Sequence, residues 1–141
     1  MNVSIAKVDA PLRTVFGWAV LTEVDGIPYV DKQGDIVTED SLERAAIEFV
    51  FERGTVSIMH RRTPDGEPVK IGKVVESVVI SDAKLKAMGL PVPESVGPRG
   101  WWVGLKFFST PEADEVWERV QRGELRGFSI GGKGLREVLE E

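Results

Sequence analysis

The chain has no Cys and a single His among its 141 residues. Without Cys there is no disulfide framework, no thiolate nucleophile and no cysteine-ligated zinc. One His cannot assemble the two- or three-His set of a usual catalytic metal site, so neither metal nor cofactor is expected. No apolar run approaches the roughly 18 residues of a membrane-spanning helix. Residues 1–10 lack a basic stretch followed by an apolar one, so no secretory signal is read there. Cations are the minority charge, with 18 Lys+Arg against 23 Asp+Glu and a net charge of -5. An acidic chain does not present the basic face of a dedicated DNA- or RNA-binding protein. The expectation is therefore a reducing, cytoplasmic compartment, with no nucleic-acid and no membrane partner. Any acid–base chemistry near neutral pH falls first to His60.

What is present fits one globular domain over residues 1–141. Hydrophobic residues make up 42% and charged residues 29%, ordinary proportions for a soluble fold. A chain of this length buries roughly 68–70% of its unfolded surface, enough for a core without covalent staples. No internal repeat and no low-complexity tail is visible.

Alternating apolar residues predict strands at Val3–Val8, Val15–Leu21, Val56–His60, Val69–Ile80, Trp101–Phe108 and Leu125–Ile130. Gly17 and Gly72 interrupt two of these runs, as a bulge, bend or close approach would. Residues 23–35 read as a loop, with turn signals at Asp25-Gly26 and Gly34-Asp35. Thr63-Pro64-Asp65-Gly66 reads as a turn. Leu42, Ala45, Ala46, Phe49 and Val50 form a helical stripe, preceded by an Asp40/Glu43 capping-box spacing, with Thr38 as a competing N-cap, and followed by Gly54. Thr110-Pro111 opens a second helix with the stripe Ala113, Val116, Trp117 and Val120, closed by Gly123. Ser81–Met88 supplies one or two further helical turns. A charged tail follows Gly134. Strands outnumber helices, so the expected class is α+β: a small distorted antiparallel β-barrel, flanked on its outside by two or three helices. A doubly wound sheet is disfavoured, because too few helices are available to cover both faces.

Two residues stand out for chemistry. His60 ends a strand, as a surface histidine or as a general base. Ser129 lies in Gly127-Phe128-Ser129-Ile130-Gly131-Gly132, where absent side chains admit a substrate backbone. Gly131 and Gly132 are candidate backbone donors to an oxyanion. This is neither a Gly-x-Ser-x-Gly elbow nor a phosphate loop with a Gly-Lys-Ser/Thr ending. The run Asp31-Lys32-Gln33-Gly34-Asp35 is spaced like the start of a calcium loop but lacks the glutamate, and is read as an Asp-capped turn. Glu76 is a charge inside an apolar strand. Trp101 and Trp102 point to opposite faces of one strand, so one ring belongs to the core. The other is covered by a helix or marks a contact surface.

In order along the chain, several motifs resemble those of the phage prohead (capsid-maturation) serine proteases, specifically the XkdF-like branch. They are Phe16-Gly17-Trp18-Ala19, Asp31–Val37 leading into the first helix, Met59-His60, Val74-Val75-Glu76-Ser77, Gly100-Trp101-Trp102-Val103-Gly104, Trp117, Gly123-Glu124 and Gly127–Gly132. Together they span residues 14–136. The resemblance implies a fold like the herpesvirus assemblin barrel and an endopeptidase acting on scaffold and major capsid proteins, in the host cytoplasm inside the assembling prohead. It places the nucleophile at Ser129 and the general base at His60. Acyl transfer would then have His60 take the Ser129 proton and return it to the leaving amine. Herpesvirus-type enzymes orient the base with a second His, which this chain lacks. Related phage proteases use an acidic residue, in some cases on a strand after the serine. Glu76, on the strand after His60, is the expected third member, with Asp35 and Glu137 as alternates and a Ser-His dyad also open. Homo-oligomerisation is left open. The different-class alternative is a non-catalytic capsid-assembly or scaffold-associated domain of the same fold. A small-molecule hydrolase would instead show a deep closed pocket.

Overall fold

Period-two alternation pairs the strand segments into one antiparallel sheet. The computed structural model describes residues 2–31, 34–94, 96–129 and 137–139, of which 2, 58–61, 129 and 137–139 are described as backbone only. The strands are β1 (Asn2–Asp9), β2 (Thr14–Val24), β3 (Ile27–Pro28), β4 (Thr55–Arg62), β5 (Pro68–Ile80), β6 (Pro98–Phe107), β7 (Leu125–Ser129) and β8 (Glu137–Leu139). Their spatial order is β4-β5-β6-β2-β1-β7-β8, with β3 attached to β2. The helices are α1 (Glu39–Glu52), α2 (Asp82–Ala87) and α3 (Pro111–Gln121).

Alternation along β6 separates two faces. Trp101, Val103, Leu105 and Phe107 are buried on one side, while Trp102 is half-buried and Lys106 exposed on the other. The buried side is concave. A flat sheet would hold β4 and β7 about 24 Å apart, five strand spacings of about 4.8 Å. Instead Val56 of β4 and Phe128 of β7 line one narrow cleft. Phe128 also meets Phe107 of β6, with ring centroids 5.7 Å apart. Among the described residues β4 pairs with neither β7 nor β8, so the sheet is a curled half-barrel and not the closed small barrel expected.

The α+β class holds, but α1 and α3 pack on the concave face and not outside it. Phe49 of α1 stacks edge-on against Trp101 at 5.7 Å, and Trp117 of α3 lies 5.3 Å from Phe107. The reason is stoichiometric: a half-barrel leaves its inner aromatics uncovered, and two amphipathic helices are what cover them.

The helix ends follow local rules. Thr38, not Asp40, caps α1, its hydroxyl accepting from the Ser41 N–H at 3.4 Å. Glu43 is therefore released from a capping box and pairs with Lys84 at 2.7 Å. Only Leu42, Ala46 and Phe49 of the predicted stripe are buried; Ala45 and Val50 are exposed. Gly54 ends α1 in the left-handed region, its N–H donating to the Phe49 carbonyl at 2.8 Å. Thr110, Pro111 and all four stripe residues of α3 are placed as expected. Ser81 caps α2. Asp25-Gly26, read as a turn signal, forms a tight hairpin turn with both residues at positive φ; it joins β2 to β3 through Val24↔Ile27, and the short strand β3 is what the sequence reading lacks. Among the described residues no helix is long and apolar enough to cross a membrane.

Gly17 is the tightest point of the ladder. A Cβ there would collide with the Ser4 carbonyl on β1. Gly17→Ala is therefore expected to destabilise the chain by about 1–3 kcal/mol, as overpacking against backbone does. Urea unfolding followed by tryptophan fluorescence measures it, and an unchanged midpoint would show that β1 can move aside.

Candidate functional site

His60 is positioned by an irregular stretch of β4. The β4–β5 register runs from Ile58↔Val69 to Arg62↔Pro68, so residues 59–61 are extra on β4 and form a wide bulge. Bulges of this kind re-aim a strand next to functional positions. The stretch ends in the predicted turn, where the Gly66 N–H donates to the Thr63 carbonyl at 2.9 Å and Gly66 takes a positive φ of 85°. The imidazole itself lies outside the described residues.

Ser129 closes β7, opposite Asn2 of β1. The preceding Phe128 is fully buried and anchors this end of β7 in the core. The Ser129 side chain and the whole of Gly131 and Gly132 lie outside the described residues, so the proposed oxyanion donors are not placed. Beyond them the chain is not merely the charged tail expected. Residues 137–139 form β8, paired with β7 through Phe128↔Glu137, Gly127↔Val138 and Leu125↔Leu139. A strand downstream of the serine therefore exists, and its acidic residue stands in the ladder opposite the neighbour of Ser129. The carboxylate of Glu137 lies outside the described residues.

The structure places the other acidic candidates elsewhere. Glu76 pairs with Gly104 on β6 and accepts a hydrogen bond from the Trp102 indole at 3.1 Å. It lies seven residues along β5 from Val69, roughly 20 Å at about 3.3 Å per residue, from the segment opposite His60. Asp35 belongs to the loop before α1, where the Asp31 carboxylate accepts from its N–H at 2.8 Å. That is the Asp-capped turn expected. The 14 residues of α1, about 21 Å of helix at 1.5 Å per residue, separate this loop from the start of β4. The His60 side chain lies outside the described residues, so neither carboxylate is placed against it.

Trp101 is the core ring of the tryptophan pair, its indole N–H donating to the Ser77 hydroxyl at 2.9 Å. Trp102 lies on the convex face, edge-on to Trp18 with centroids 5.3 Å apart. No helix covers it; its partners are Trp18 and Glu76. An acidic grouping marks the far end of β5. There the Glu39 carboxyl is held above its ordinary value, first by desolvation and then by Asp40, Asp82, Glu23 and Glu43.

Residues 2–139 match the family described as "Putative phage serine protease XkdF". Two curated proteins of Bacillus subtilis (strain 168) are similar. One is named phage-like element PBSX protein XkdF; it is 32% identical over 111 residues, which cover 79% of this chain and 34% of that protein. The other is named uncharacterized protein YqbD; it is 31% identical over 122 residues, covering 84% of this chain and 33% of that protein. The chain thus spans about one third of the length of these relatives. No solved structure matches it.

Because Glu76 is engaged by Trp102, Glu76→Gln is expected to leave peptide cleavage within about twofold of the parent, whereas a member of a catalytic unit costs orders of magnitude. Its indole contact predicts an altered tryptophan emission spectrum instead. A cleavage rate lowered by more than tenfold at unchanged stability would return Glu76 to the machinery.

Proposed function

This chain belongs to the XkdF family of phage serine proteases, and on that premise we propose that it is the endopeptidase of capsid maturation, cleaving scaffold and major capsid proteins inside an assembling prohead in the host cytoplasm. The observation that carries the reading is the curl of the sheet. β4, which bears His60, and β7, which bears Ser129, stand at separate places in the strand order, yet Val56 and Phe128 from those two strands line one cleft. Of the assemblin-like barrel that the resemblance implies, the α+β class and an antiparallel sheet curled into a half-barrel support the coarse outline.

The proposed chemistry is acyl transfer. The Ser129 hydroxyl attacks the scissile carbonyl while His60 accepts its proton. The tetrahedral oxyanion is held by backbone N–H groups, for which Gly131 and Gly132 remain the candidates. His60 then protonates the leaving amine, and a water repeats the sequence to release the acyl group from Ser129. With one His in the chain, an orienting partner must be a carboxylate or absent. Glu76, Asp35 and Glu137 are the candidates, Glu137 standing on the strand that pairs with the Ser129 strand.

A serine-directed phosphonate should label the chain at Ser129, identified by peptide mapping. Ser129→Ala and His60→Ala should each lower cleavage of a capsid- or scaffold-derived peptide by at least about 10³-fold, and the double variant no further, because the pair acts as a unit. Glu137→Gln should cost at least about tenfold. Unaltered cleavage in Ser129→Ala removes the nucleophile. Absence of both labelling and cleavage in the parent chain favours the non-catalytic assembly domain.

A further inference from the structure

Charge is distributed unevenly along β5. Residues 53–73 carry Arg53, Arg61, Arg62, Lys70 and Lys73 against Asp65 and Glu67, a net charge of +3, while the rest of the chain sums to -8. His60 sits in the middle of this basic segment. The side chains of Arg62, Lys70 and Lys73 are exposed. Neither Lys70 nor Lys73 makes an ion pair with a described residue. Lys73 stands directly opposite Lys106 in the β5–β6 ladder, a like-charge arrangement that is unfavourable on its own. At the other end of β5 the cations Lys84 and Arg99 are matched to Glu43 at 2.7 Å and Asp82 at 2.8 Å, among the carboxylates that surround Glu39. Lys84 and Arg99 are thus ion-paired at that end, while Lys70 and Lys73 at the hairpin end make no ion pair with a described residue.

The backbone adds a second feature. Among the described residues β4 pairs only with β5, and no described strand pairs with its other edge. An open edge is a template for an added strand. Charges near an edge also prevent aggregation, but either sign serves that purpose. An excess of one sign, opposite to the net charge of the chain, calls for an anionic partner.

We infer that the open β4 edge and the basic β4–β5 hairpin form the substrate-docking surface, taking an acidic segment of a polypeptide as an added extended strand. This rests on the endopeptidase reading and names the substrate class for it. Main-chain hydrogen bonds along β4 would supply sequence-tolerant affinity, and Arg62, Lys70 and Lys73 would supply the preference for Asp and Glu. The acidic end of β5 would repel the same segment, which fixes where along the sheet it settles. A nucleic acid gains nothing from an open strand edge and meets an acidic sheet beyond the hairpin, so a peptide is the better match.

The test measures binding apart from cleavage. A short labelled peptide rich in Asp and Glu, and its Asn/Gln counterpart, are titrated by fluorescence anisotropy against the Ser129→Ala chain, and against the same chain carrying Lys70→Glu and Lys73→Glu. The acidic peptide should bind at least about tenfold tighter than its neutral counterpart at low salt, and both high salt and charge reversal should erase the difference. Equal affinities, or a preference that survives charge reversal, overturn the inference. If charge reversal lowers the melting temperature, Lys70→Gln with Lys73→Gln takes its place. Duplex DNA that binds tighter than the acidic peptide, and loses this on charge reversal, also overturns it in favour of a polyanion surface. Phosphonate labelling of Ser129 in the otherwise unaltered chain reads the chemistry separately: no labelling with acidic preference retained fails the protease reading alone, and labelling without the preference fails the docking surface alone.

Discussion

Phe107 and Phe128 must share one core although two strands intervene between theirs, and that requirement bends the sheet. Both rings are buried, 5.7 Å apart. The ladder yields to them at a series of register shifts, between Ile5 and Lys7, Trp18 and Val20, Val74 and Glu76, and Leu125 and Gly127. Each shift adds local twist. Gly17 lets the backbones of β1 and β2 approach closely where a side chain would hold them apart. Once the sheet is bent, its concave face is too open to be covered by strands alone. The stripe of α3, with Trp117 against Phe107, and Phe49 of α1 against Trp101 complete the core. Aromatic pairs at such angles contribute about 0.5–1.5 kcal/mol each beyond the area they bury.

The sequence was most legible where one local rule acts without competition. Thr110-Pro111 and the four-residue stripe of α3 combine a cap, a fixed φ and a helical period, and all stand as read. α1 was legible in kind but not in detail. Thr38 and Asp40 are both competent caps; Thr38 takes the role, and Glu43 pairs with Lys84 instead of closing a capping box. Alternation put one ring of the Trp101-Trp102 pair in the core without saying which, and it carries no information about curvature, so barrel and half-barrel look alike. β8 was invisible for another reason. Three residues of which one is charged generate no periodic signal, and only pairing with β7 makes them a strand.

The same limit explains the acidic candidates. Proximity in sequence made Glu76 attractive, since it follows His60 on the next strand of a hairpin. In a hairpin, however, the partner of a residue is set by register, and a residue near the turn faces one equally near the turn. His60 lies in the irregular stretch between Ile58↔Val69 and Arg62↔Pro68, and Glu76 stands further along β5, opposite Gly104. Glu137 was distant in sequence, at the chain's charged end, but one hydrogen-bonded strand pairing carries it to the neighbour of Ser129. Strand pairing, and not separation in sequence, sets which backbone segments lie side by side.

The two faces of the sheet divide the labour of the fold. The concave face is filled by its own aromatics and by two helices, and offers packing. The convex face holds Trp18, Trp102 and Glu76 in a self-contained cluster, with Lys7 over the Phe16 ring at 5.3 Å. The Trp102 indole N–H finds its partner, Glu76, on the same face, as a half-buried indole with one wet edge does. The β4–β5 hairpin differs from both. No described strand pairs with its outer edge, and Lys70 and Lys73 make no ion pair with a described residue. An added strand of opposite charge would supply both the backbone partners and the counter-charge, on the strand that carries His60.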